Sequence, residues 1–154
     1  MTTFSAKNNS AATLKSSRKD VWDALTDPKL LPKLTPYLHR IDVDGDRWTW
    51  YVAKVPVLGK SIGSTFTEVM TFDEPKRIGY RHDPDRTEEQ TEVTGEYQLE
   101  EAGSGTRVSI EIRVAVELPF PRAMRRPVEG AIRAVMAGMG RRFAHNLLRH
   151  LGEK

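Results

Sequence analysis

The feature that most constrains this chain is a two-residue rhythm that runs, broken only by turns, from about Leu38 to Leu118. It is cleanest near its end. Val93, Gly95, Tyr97 and Leu99 alternate with Glu92, Thr94, Glu96 and Gln98; after Gly103-Ser104-Gly105 come Val108, Ile110, Ile112, Val114 and Val116 against Arg107, Ser109, Glu111, Arg113 and Glu117. Successive side chains of a strand point to opposite faces, so this is a hairpin with one covered and one wetted face, the signature of antiparallel sheet. Acidic side chains opposite Arg107 and Arg113 are expected to hold its register on the wet side.

Earlier strands follow the same logic. Ile41 and Val43 alternate with charged residues, Asp44-Gly45-Asp46 is a turn, and Arg47 to Ala53 is rich in β-formers. Thr65 to Asp73 ends at Asp73-Glu74-Pro75-Lys76, and Arg77 to His82 ends at Asp83-Pro84-Asp85. A short strand at Ser10 to Lys15 completes a sheet of about seven strands.

Helical signals flank the sheet. Ser17 can cap a helix in which Asp20 favours the positive end of the dipole and Val21, Ala24 and Leu25 share a face. Pro28 ends it and opens a second short helix, capped by Asp27 and running through Leu30, Leu31 and Leu34. After Pro119-Phe120-Pro121 and a connector from Arg122 to Pro127, one long helix is expected from about Val128 to Leu151. Its Val128, Ile132, Val135, Met136, Met139, Phe143 and Leu147 fall on one stripe, with its arginines off it.

Composition narrows the class. At 154 residues the chain suits a single domain, residues 1–154, with a real core. No apolar run approaches the ~20 residues of a membrane span, the N-terminus lacks a secretory pattern, and there is no Cys, so a cytoplasmic protein without an integral membrane segment is expected. The net charge of +3 is unevenly spread: Arg122 to Lys154 holds eight basic and two acidic residues, whereas Asp83 to Glu101 holds eight acidic and one basic. No nucleic-acid-binding motif accompanies it, so the charge reads as two outer faces of one domain.

The order strand, two short helices, six strands and long amphipathic helix defines an α+β architecture, a curved antiparallel sheet wrapped around a C-terminal helix. Val21-Trp22-Asp23-Ala24-Leu25-Thr26-Asp27-Pro28, Leu34-Thr35-Pro36 and Glu74-Pro75-Lys76-Arg77-Ile78-Gly79-Tyr80-Arg81 resemble the START/SRPBCC helix-grip superfamily, most closely its polyketide cyclase/dehydrase and lipid transport group. The resemblance covers essentially the whole chain. It implies an internal cavity for a small hydrophobic ligand, a lipid or an aromatic or polyketide-like compound, and it carries over no catalytic signature, cofactor or metal.

If the cavity exists, Trp50, Phe66, Met70, Tyr80, Tyr97, Met136, Met139 and Phe143 are its candidate lining, although for any one of them plain core is the better reading and the cavity rests on the resemblance. Two polar residues are candidates for chemistry. Glu68 is in phase with Phe66, Met70 and Phe72, so if these face inward it is an inward carboxylate that needs a partner or a raised pKa; the opposite phase, with Val69 inward, or a bulge puts it in water. His82 is in phase with Ile78 and Tyr80 at its strand end; His39 shares the phase of Ile41 and Val43, and His150 lines up with the helix stripe. His145 and His150 are five apart, off one helical face, so no metal site is read here. Arg122, Arg125 and Arg126 cluster where the resembled fold has its cavity entrance and could receive an anionic group. Gly130, Gly138 and Gly140, with Ala134 and Ala137, form a small-residue patch suited to close packing, bending or a homodimer contact. Two functions stay open: a carrier that holds an apolar ligand, and a cyclase/aromatase or dehydrase in which Glu68, His82 or Tyr97 moves protons. The carrier is preferred because the interior-facing positions are almost all apolar, whereas an enzyme needs convergent polar groups.

Overall fold

The computed structural model describes residues 1–153 and forms one seven-stranded antiparallel sheet. The strands are β1 (Thr2–Leu14), β2 (Leu38–Asp44), β3 (Arg47–Val57), β4 (Lys60–Asp73), β5 (Arg77–His82), β6 (Thr91–Ala102) and β7 (Gly105–Leu118), in the spatial order β1-β7-β6-β5-β4-β3-β2. Helices α1 (Arg18–Leu25) and α2 (Leu31–Leu34) fill the connection from β1 to β2, and a 3-10 turn at Arg122–Met124 leads into α3 (Arg125–His150). No helix is long and apolar enough to cross a membrane among the described residues.

Local chemistry accounts for most boundaries. The Ser17 hydroxyl accepts from the Asp20 backbone N–H at 3.2 Å and starts α1. Asp27 Oδ1 accepts from the backbone N–H groups of Lys29 and Leu30 at 3.0 and 3.3 Å, so it organises a turn, and α2 shrinks to one helical turn beginning at Leu31. Helix α3 starts three residues before Val128, because Pro127 lies in the first turn, where its missing N–H has no partner to lose. Beyond Ala53 and before Thr65 the chain continues as a hairpin, closed by Leu58 and Gly59, both at positive φ (47° and 81°), after a bulge between Val52 and Val55.

Strand β1 is much longer than the stretch from Ser10 to Lys15: it pairs with β7 from Thr2↔Leu118 to Leu14↔Thr106. Phe4 and Ala6 are buried on its inner side, while Ser10 to Thr13 are exposed, which leaves the strand with little alternation to read. The register of the last hairpin places Arg107 opposite Glu100, as expected, but Arg113 lies opposite Thr94 on one side and Lys7 on the other. No acidic residue faces Arg113 across either ladder.

Helix α3 lies along β1 and reaches β3 and α2 at the far side of the sheet. Two carboxylates tie it to the open edge of β1. Near its start Glu129 accepts from the Ser5 backbone N–H at 2.8 Å; past its end Glu153 accepts from the Lys15 and Ser16 backbone N–H groups at 2.6 and 3.1 Å. Each satisfies edge groups that the ladder leaves unpaired. The apolar core divides accordingly. One cluster gathers Val21, Trp22, Leu31, Trp48, Ile78, Leu99 and Leu147 around the C-terminal end of α3, and the other gathers Phe4, Val57, Leu118, Phe120, Val128 and Ile132 around its N-terminal end.

Candidate functional site

Between these clusters the concave face of the sheet confronts the middle of α3, and here the covering is incomplete. Val135, Met136, Met139 and Phe143 on the helix are only half-buried, as are Trp50, Phe66, Tyr97, Ile110 and Ile112 on the sheet. Phe143 packs against the C-terminal cluster together with Trp50, Phe66, Tyr97 and Ile112, and Met136 against the N-terminal one; Met139, midway, joins neither among the described residues. Tyr97 is the most telling. It sits deep enough that burial pushes its hydroxyl pKa up, with the Glu68 carboxyl adding to the shift, yet part of its surface stays uncovered. Met70 and Tyr80 are more deeply covered, 6% and 8% exposed.

This inward face of the sheet is aromatic. Trp50 and Phe66, direct cross-strand partners, stack with centroids 6.0 Å apart, Trp48 lies 6.3 Å from Trp50, and Tyr80 and Tyr97 lie 6.0 Å apart. Tyr80 reaches across β6 to donate to the Glu111 carbonyl oxygen at 3.2 Å. Gly95 makes this reach feasible: a Cβ there would collide with the Glu111 carbonyl and crowd the Tyr80 hydroxyl.

Among these rings sits Glu68, opposite Trp48 on one side and His82 on the other and only 2% exposed. Its inward phase holds. Burial pushes its carboxyl pKa well above the ordinary 4.5, and the Trp50 N–H opposes this only in part. Trp50 Nε1 itself completes no hydrogen bond although the atom is buried. No Lys, Arg or His nitrogen lies within ion-pair distance of Glu68 among the described residues.

His82 belongs to a different constellation. Its Nε2 lies 3.1 Å from the Arg86 carbonyl oxygen, and Glu89 and Glu92 carboxylate oxygens stand 3.9 and 3.8 Å from its ring nitrogens. The segment between β5 and β6 folds back to do this. Glu89 grips Thr67 on the other face of β4, accepting from its backbone N–H and its hydroxyl, both at 2.7 Å, while buried Asp83 stands 3.3 Å from Arg47. Neither Glu89 nor Asp83 stands out in the sequence, where both are part of an acidic run in a turn.

The other polar candidates disperse. His39 lies at a bulge in the β2–β3 ladder and is exposed, so the phase of Ile41 does not extend to it; His150 is exposed as well. Arg122 and Arg126 are exposed, and Arg125 is occupied by Glu129 and the Thr3 carbonyl at 3.1 and 3.3 Å. A Cβ at Gly130, Gly138 or Gly140 would meet no atom closer than 3.8 Å, so close packing within this chain does not demand them. Two surface depressions, of about 410 Å³ beside Ser64, Glu89 and Thr91 and about 510 Å³ on the convex face beside Lys7, Arg81 and Glu111, have mixed polar and apolar linings that include neither Trp50 nor Met139.

A curved antiparallel sheet gripping one long C-terminal helix, with two short helices after the first strand, defines a START-like helix-grip protein. The chain belongs to the family described as polyketide cyclase / dehydrase and lipid transport, which it matches over residues 6–152. No curated protein matches it. Among solved structures, a Thermus thermophilus protein superposes with a TM-score of 0.72 at 15% identity, covering 94% of this chain and 96% of that one. A START superfamily protein from Mycobacterium smegmatis follows at 0.69 and 13%, with 95% and 97% covered. The Zhui aromatase/cyclase from a Streptomyces species gives 0.68 and 13%, with 96% and 94% covered. At such identities the likeness is one of fold.

Proposed function

We propose that this protein binds a small, predominantly apolar molecule, of lipid or aromatic polyketide-like character, in the hollow between the concave sheet and the middle of α3. The observation that carries the reading is the division of the core: both ends of the helix are packed, and the aromatic floor and thioether-bearing helix face between them are left partly bare. Exposed apolar surface that faces inward on a rigid frame gains when a guest displaces the water on it, by roughly 25 cal/mol per Å² covered. Met136 and Met139 suit guests of irregular shape, because an unbranched thioether adapts its rotamers. Binding without turnover is favoured over proton-transfer catalysis because His82, opposite Glu68 across β4 and β5, has its Nε2 engaged by the Arg86 carbonyl and stands beside Glu89 and Glu92, while Glu68 is surrounded by apolar rings.

Native mass spectrometry of protein purified from its own host tests the reading. A co-purifying molecule that leaves on mild activation is expected. Uniformly empty protein that also fails to take up any hydrophobic compound from a lipid extract would overturn it.

A further inference from the structure

We infer that Glu68 and the indole N–H of Trp50 form a polar anchor on the floor of the hollow, receiving a carbonyl oxygen of an otherwise apolar ligand. The inference rests on the ligand-binding reading above and adds the chemistry of the ligand. Trp50 and Glu68 are diagonal neighbours on the concave face, since Trp50 pairs with Phe66 and Trp48 with Glu68. Trp50 Nε1 is a donor only, it is buried, and it completes no hydrogen bond. Glu68 is buried among rings with no cation beside it, and burial favours its protonated form, which donates as well. An indole N–H without an acceptor is costly in the empty protein, and a ligand oxygen with two lone pairs takes it together with the hydrogen of a protonated carboxyl beside it. The stacked faces of Trp50 and Phe66, partly bare beside them, suit an aromatic ring attached to that carbonyl. An ammonium ligand would instead require the ionised carboxylate, the form that burial opposes.

Isothermal titration with three probes of nearly equal shape tests this: acetylnaphthalene, isopropenylnaphthalene, which replaces the carbonyl by a methylene, and naphthylethylamine. The wild-type protein is expected to bind the ketone roughly tenfold more tightly than the hydrocarbon, and the amine least. Glu68→Gln, which keeps a donor, should retain most of that preference. Glu68→Leu and Trp50→Phe should each reduce it severalfold while hydrocarbon affinity persists. Equal binding of ketone and hydrocarbon, preference for the amine, or a preference unchanged in Glu68→Leu overturns the anchor and leaves the hollow standing. Failure of all three probes to bind contradicts both.

Discussion

The two ends of α3 and its middle face the same sheet, yet they are built for different purposes. At the ends, carboxylates of Glu129 and Glu153 fasten the helix to the edge of β1, and Val128, Ile132 and Leu147 are buried in packed clusters. In the middle, Met136, Met139 and Phe143, like Trp50, Phe66 and Tyr97 on the sheet, are only half-buried. The difference teaches where the stability of this molecule resides. A helix anchored at both ends can span a hollow without collapsing into it, and this is the arrangement that the proposed binding of a guest requires.

Substitution should separate the regions. Phe4→Ala, at a side chain with no exposure, is expected to cost about 3–5 kcal/mol, and Leu147→Ala, at 5% exposure, about 2–5 kcal/mol. Met139→Ala should cost about 1 kcal/mol or less, because few neighbours lose contact. Urea unfolding of the three variants measures this, and equal losses would mean that the middle is packed like the ends.

Glu68 gives the next largest effect, and it depends on pH. Its carboxyl has a higher pKa folded than unfolded, so the contribution of this group to stability is greatest below about pH 4.5 and falls as pH rises, until the folded carboxyl ionises. Glu68→Gln removes that dependence. Relative to the wild type, it should therefore gain stability with rising pH, by up to about 1.4 kcal/mol per unit over that window. Thermal melts at several pH values check it; a wild type that gains stability relative to the variant would place an ionised, stabilised carboxylate at this site.

The smallest effect concerns the same stretch of helix seen from its back. Gly138→Ala and Gly140→Ala, where an added methyl meets nothing closer than 3.8 Å, should each raise stability by about 0.5–1 kcal/mol. Destabilisation by either would reveal a helix bend that needs glycine.

Most of this arrangement was legible in the residues. The alternation of Val93 to Leu99 and Val108 to Val116 fixes both faces of a hairpin, whereas the phase of Glu68 stays open in the sequence, where Val69 is as good an inward residue, and is decided only by its burial opposite Trp48. What escaped is what depends on partners distant in sequence. Residues such as Ser10 and Ala11 show no strand pattern because β1 is exposed there and is held by β7 and α3. His39 loses its phase to a bulge, and Arg113 meets Lys7 because the register of β1 is set elsewhere. His82 looked like a neighbour of the hollow; Glu89, Glu92 and the Arg86 carbonyl surround it only once the intervening turn has closed.

The central claim is most directly tested at Met139, midway between the two clusters. Titration of Nile red into the wild-type protein and into Met139→Trp, each checked for folding by circular dichroism, measures whether the space under α3 is open. Saturable one-to-one binding by the wild type, weakened roughly tenfold or more by the larger ring while the fold persists, is the result predicted. Unchanged binding in a folded Met139→Trp variant would contradict the account.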